Sequence, residues 1–182
     1  MLWITVGVVM GIVIAVALLY NGLVQLRNRV RNAWAQIDVQ LLRRSDLIPD
    51  LVESVRGYMR HETAIFDRIV AARQQAVTAG ANVSARSAAE AALSQQMRGL
   101  LALAEAVPEL RASDNMKVLQ EELATTENRI AFARQFFNDA VLDYNNRLDT
   151  VPSNFVAGPF GFTREAFFEV EPAAREKMPV RF

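Results

Sequence analysis

From Leu2 to Leu19 the chain is an unbroken apolar run, LWITVGVVMGIVIAVALL, and no charged side chain occurs before Arg27. The run passes without a proline or a loop signal into NGLVQLRNRVRNAWAQIDVQLL, where apolar residues recur at helical spacing. A helix that leaves a bilayer and enters a packed helical body meets both constraints at once. At about 1.5 Å per residue, eighteen residues approach the roughly 30 Å of hydrocarbon in a bilayer.

Trp3 and Tyr20 flank the run where interfacial aromatics anchor a span. A cleaved signal peptide is the rival reading. It wants a basic stretch before the run and small residues at a cleavage site, and here the run closes on ALLYNGL. Gly7 and Gly11 form a GxxxG pair, a motif common by chance in apolar helices. Five arginines (27, 29, 31, 43 and 44) face the single acid Asp38 between residues 27 and 44. The positive-inside rule then puts the N-terminus outside and the body in the cytoplasm. Arg27, Arg29 and Arg31 are candidates for anionic headgroup contact; a solvated helix face is the alternative, and both can hold at once.

The remainder reads as helix throughout. Alanine, leucine, valine, arginine and glutamate dominate, with eight glycines and six prolines. Leu23, Leu26, Val30, Trp34, Ile37 and Leu41 form a stripe meant for burial. RRSDLIPD follows, with Ser45 or Asp46 able to cap a helix and Pro49 suited to a first turn. The expectation is a turn near residues 44–46; a continuous helix kinked at Pro49 is the alternative. A second helix then carries Ile48, Val52, Val55, Met59, Phe66 and Ile69 inward to about Ala79, and TAGANVS is a loop. Ser87 and Glu90 suggest a capping box for an alanine-rich third helix that ends at Pro108.

Ser113 or Asp114 opens the most regular helix. Its seam is Met116, Leu119, Leu123, Thr126, Ile130, Ala133, Phe137, Ala140 and Tyr144, in alternating steps of three and four, as in a coiled coil. Nine acids and five bases lie between Glu105 and Asp149, a net −4 that complements the basic first helix. The fold expected is all-α: a transmembrane helix (1–20), an up-and-down antiparallel four-helix bundle (21–150) and an irregular aromatic tail (151–182). Three long helices with a kink at Pro49 is the other arrangement weighed. Phe155, Phe160, Phe162, Phe167, Phe168 and Phe182 in the tail need a surface to cover, whether the chain's own bundle, a sister subunit or the membrane.

Two blocks, YNGLVQLRNRVRNAWAQIDVQLLRRSDLIPDLVESVRGYMRHE and FFNDAVLDYNNRLDTVPSNFVAGPFGF, together with ENRIAFAR, resemble the LemA family over nearly the whole chain. Phe137–Asn138 stands where an aromatic–Asn pair is usual, and Val151 precedes Pro152 where an aromatic is common. The resemblance implies a single-pass membrane protein with a four-helix cytoplasmic body and no established enzymatic activity. It also implies association with membrane organisation or with membrane enzymes such as a protease.

The residues themselves offer no reactive centre. There is no cysteine, so disulfides, thiolate zinc sites and thiol nucleophiles are excluded. A di-iron bundle site wants two Glu-x-x-His pairs and a zincin two histidines; this chain has only His61, read as a surface residue. Phosphate-binding glycine loops are absent, and zero net charge gives no bias toward nucleic acid. No cofactor and no metal are expected. Asn21, Asn28 and Asn32 on the first helix, with Asn138 and Asn145 on the last, sit at near-heptad spacing. Either they are solvated, or they form a polar ladder that fixes register within the bundle or between subunits. The sequence thus points to a membrane-bound, non-enzymatic scaffold that homo-oligomerises on membrane lipid. An adaptor for another membrane protein is the alternative.

Overall fold

The computed structural model describes residues 1–59 and 62–168, and every regular element among them is helical. The helices are α1 (Leu2–Arg56), α2 (Thr63–Thr78), α3 (Val83–Glu105), the short α4 (Pro108–Ala112), α5 (Asp114–Asp149) and the short α6 (Ser153–Ala157). His61 and Phe182 lie outside the described residues.

The turn expected near residues 44–46 is not formed. α1 continues through Ser45 and Pro49 to Arg56. A mid-helix proline leaves the carbonyl four residues earlier without its donor. Here that carbonyl belongs to Ser45, and the Nε–H of Arg73 on α2 donates to it at 2.8 Å. The substitute bond lets the helix run on. The break comes instead at Gly57, immediately after Arg56. The helical phase of Val55, Met59 and Phe66 carries across that break, which is why the spacing alone concealed it.

The described chain forms two compact units: Met1–Gln36 with Ala133–Phe167, and Ile37–Phe132 with Phe168. In the second unit, one core joins Ile48, Leu51 and Val55 of α1 to Phe66 and Ile69 of α2, Leu93, Met97 and Leu100 of α3, and Met116 and Leu123 of α5. Directions follow from side-chain pairs. Arg56 lies over Phe66 and Arg73 reaches Ser45, so α2 runs against α1. Asp38 meets Arg86 and Arg44 meets Glu90, so α3 runs with α1. The topology is up-down-up, with α5 completing a four-helix bundle. Gly80, at φ +60, makes the α2–α3 turn. Asn82 caps α3, its Oδ1 accepting from the Ala85 N–H at 3.0 Å. The capping box expected at Ser87 and Glu90 is therefore absent: both lie inside α3, buried.

In the first unit α1 and α5 are antiparallel: Arg29 pairs with Asp143 at 3.5 Å, and the Trp34 and Phe137 rings are 5.5 Å apart. Leu23, Val30 and Ala33 face Phe137, Val141, Tyr144 and Leu148 in a narrow buried seam. The apolar run of α1 is exposed along nearly its whole length, which a core helix never is.

Candidate functional site

Two polar constellations stand out, one in each unit. The first gathers where the tail returns to α1. Phe160 and Phe162 pack on Tyr20 with ring centroids 5.2 and 5.5 Å away, both tilted toward edge-to-face geometry. The Arg27 guanidinium lies 4.9 Å over the Phe162 ring, a cation–π contact. Phe162 is buried, while Phe155, Phe160 and Phe167 remain exposed; Phe168, which belongs to the other unit, is buried. Gly161, at φ +70, supplies the left-handed turn that sends the chain into the extended segment beyond.

Asn145 fixes that segment. Its Nδ2 donates to the Glu165 carbonyl at 2.9 Å, and its Oδ1 accepts the Glu165 N–H at 3.0 Å. The side-chain amide thus serves Glu165 as a neighbouring strand would. One residue away, Arg164 forms an ion pair with Asp149 at the end of α5. Tyr144, in the same seam, has its phenol pushed above the usual range by burial, with the Glu165 carboxylate adding to the effect and Arg27 and Arg31 opposing it.

The second constellation surrounds Arg44, which is almost wholly buried. Its Nη2 donates to Glu90 Oε2 and its Nη1 to Glu127 Oε1, both at 2.5 Å; Nη1 also reaches Ser94 Oγ at 2.8 Å. Arg86 continues the chain, donating to Glu90 Oε1 at 2.8 Å and lying 3.4 Å from Asp38. Burial alone would lower the Arg44 pKa. The carboxylates of Glu127 and Glu90 outweigh it and hold the guanidinium above its ordinary value. α1, α3 and α5 are tied together through one buried side chain. The sequence offered a signal for this, since Arg44 falls three residues after Leu41 and four before Ile48 on the inward face.

The remaining sequence-derived residues fall as follows. Trp3 is fully exposed on the apolar run. Arg27 turns to Phe162 and Arg29 to Asp143 and the Phe136 ring, so headgroup contact, if made, is shared with these partners; Arg31 is exposed. Of the seam residues, Met116, Leu123, Ile130, Phe137 and Tyr144 are buried and Leu119 is half-buried. Asn21, Asn28 and Asn32 are exposed, and Asn138 is half-buried. Asn145 spends its amide on the tail backbone, so it does not join an asparagine ladder with α1. Among the described residues no three His, Asp or Glu side chains come together to hold a metal ion.

A helix long and apolar enough to cross a membrane, running on into an all-helical body, defines a membrane-associated helical protein. The model of the LemA family matches residues 33–182, and the chain belongs to that family. It is 25% identical over 198 aligned residues to magnetosome protein MamQ of Magnetospirillum gryphiswaldense, covering 95% of this chain and 73% of that protein. It is 26% identical over 179 residues to magnetosome protein MamQ 2 and to MamQ 1 of Paramagnetospirillum magneticum. These alignments cover 85% of this chain and 66% of each relative.

Proposed function

We propose that this protein is a single-pass, non-enzymatic scaffold that self-associates and organises the cytoplasmic membrane, with its N-terminus outside and its bundle in the cytoplasm. The observation that carries the reading is the exposed apolar run of α1, continuous with a helix whose later residues enter a packed core. Confinement to a plane raises the effective concentration for lateral contact between copies. Apolar side chains left exposed on the helices supply candidate contact surfaces: Phe132, Val118 and Val39 in one unit, Phe136 and Leu142 in the other. Similarity to proteins named as magnetosome proteins is consistent with this reading. The basic residues nearest the span, Arg27, Arg29 and Arg31, support the orientation.

The test is the mass of the particle extracted in mild detergent, by light scattering, with cross-linking in intact membranes. A defined homo-oligomer is the expected result. A monomer that grows only when a second membrane protein is bound overturns the scaffold in favour of an adaptor.

A further inference from the structure

No charged residue lies between Asp149 and Arg164, and these two residues pair with each other. The stretch 150–163 is thus an uncharged loop closed at its base by an ion pair. Its inward side chains are Ser153, Val156, Ala157 and Phe162, all buried; the Phe162 N–H closes onto the Ala157 carbonyl at 3.0 Å. Its outward face sets three large apolar side chains beside the uncharged Thr150, Asn154 and Thr163. Val151 is 65% exposed, Phe155 72% and Phe160 54%.

The height of this loop along α1 is fixed. Asp143 stands level with Arg29, and α5 runs from there toward the N-terminal part of α1. Phe160 then packs on Tyr20, the first residue after the apolar run. Within the run only Val16 and Leu19 are half-buried, and with Tyr20 and Leu23 they make one helix face. This side of the last turns of the span is covered while the rest is bare.

We infer that the loop from Thr150 to Thr163 is a second membrane contact, with Val151, Phe155 and Phe160 seated in the interfacial layer of the bilayer that α1 crosses. Aromatic rings at headgroup level are favourable there, and an uncharged loop enters that layer without stripping a charge of its water. The Arg164–Asp149 pair marks the depth at which charge resumes. With α1 on one side and the loop on the other, the unit that carries them is held to the membrane at two points.

This inference rests on α1 spanning the membrane, so the test reads both. The chain has no cysteine, and Phe155→Cys, Ile4→Cys and Phe132→Cys each change one exposed side chain. Each full-length variant is labelled with the fluorophore NBD and reconstituted into phosphatidylcholine–phosphatidylglycerol vesicles carrying doxyl lipids, with the quencher high or low on the acyl chain. The expected result is blue-shifted emission at 155, quenched most by the shallow doxyl, with 132 unquenched and 4 quenched. Quenching at 4 with water-like emission at 155 overturns the loop contact and leaves the span standing. Blue-shifted emission at 155 without lipid quenching also overturns it, since protein then covers the loop. No quenching at 4 removes the span and the inference together.

Discussion

Arg73 donates its Nε–H to the main-chain carbonyl of Ser45 at 2.8 Å, on the turn of α1 that Pro49 deprives of a donor. Ser45 is buried, so without Arg73 that carbonyl is cut off from water and unpaired. Leaving a buried acceptor unmade costs about 1–3 kcal/mol. Arg73→Met should therefore lower unfolding stability by about that much. In a Pro49→Ala background residue 49 regains its N–H, Ser45 regains a helical donor, and Arg73→Met should cost distinctly less. Urea melts of the four proteins in detergent, followed by circular dichroism, give the coupling. Equal costs in both backgrounds would show that Arg73 acts only by packing.

Arg44 presents a larger effect. Replacing it with methionine keeps the volume roughly but strands Glu90, which is buried and would retain only Arg86. Breaking a buried pair from one side costs about 3–5 kcal/mol. Glu127→Gln should cost far less, because its side chain is 45% exposed and water can replace the arginine. Thermal unfolding of the two variants checks the order. A Glu127→Gln loss as large as that of Arg44→Met would mean the bridge to α5, not the buried pair, holds the helices.

How far these features could be read from sequence depends on whether they were local. The apolar run, the stripe Leu23–Leu41 and the repeat on α5 are periodic within one helix, so spacing revealed them. No turn forms near Ser45, because the proline rule assumes no outside donor and here Arg73, 28 residues away, supplies one. The same limit hid the Arg44 network: Ser87 and Glu90 have capping-box spacing, yet Asn82 caps α3 and Glu90 inside it meets an arginine 46 residues earlier. Asn145 stands seven residues from Asn138, but its partner is a main-chain group of the tail, which carries no side-chain signature.

Tyr144 should make stability fall at alkaline pH. Its folded pKa is raised, chiefly by burial and then by Glu165, above the unfolded value of about 10. Above that value the unfolded chain releases a proton that the folded chain retains. The contribution is therefore complete below about pH 10 and is lost as pH rises through the folded pKa. Tyr144→Phe removes a proton site without removing the ring. The stability difference between natural and Tyr144→Phe proteins should thus be flat to about pH 10 and then move in favour of phenylalanine. A difference constant through that range would show that Tyr144 titrates alike in both states.

Asn145→Ala deletes both bonds to Glu165 while leaving α5 intact. The extended segment after Gly161 then loses its main-chain partner. Amide exchange at Glu165 should accelerate markedly, with α5 itself little changed, since the loss is local. Mass-spectrometric exchange on peptides covering 140–150 and 160–168 separates the two. Equal acceleration in both would mean that Asn145 supports the helix seam rather than the tail.

Asn28 provides the cleaner test of polar register between subunits, because it is exposed within the chain whereas Asn145 is already occupied. If exposed asparagines on α1 meet their counterparts on a sister subunit, a leucine at 28 removes the polar group that disfavours other registers. Asn28→Leu should then change the particle mass in mild detergent, or broaden it into several species, without lowering the melting temperature of the body. An unchanged single mass would show that Asn28 is only a solvated face of α1, and that any register between copies is set by the exposed apolar residues.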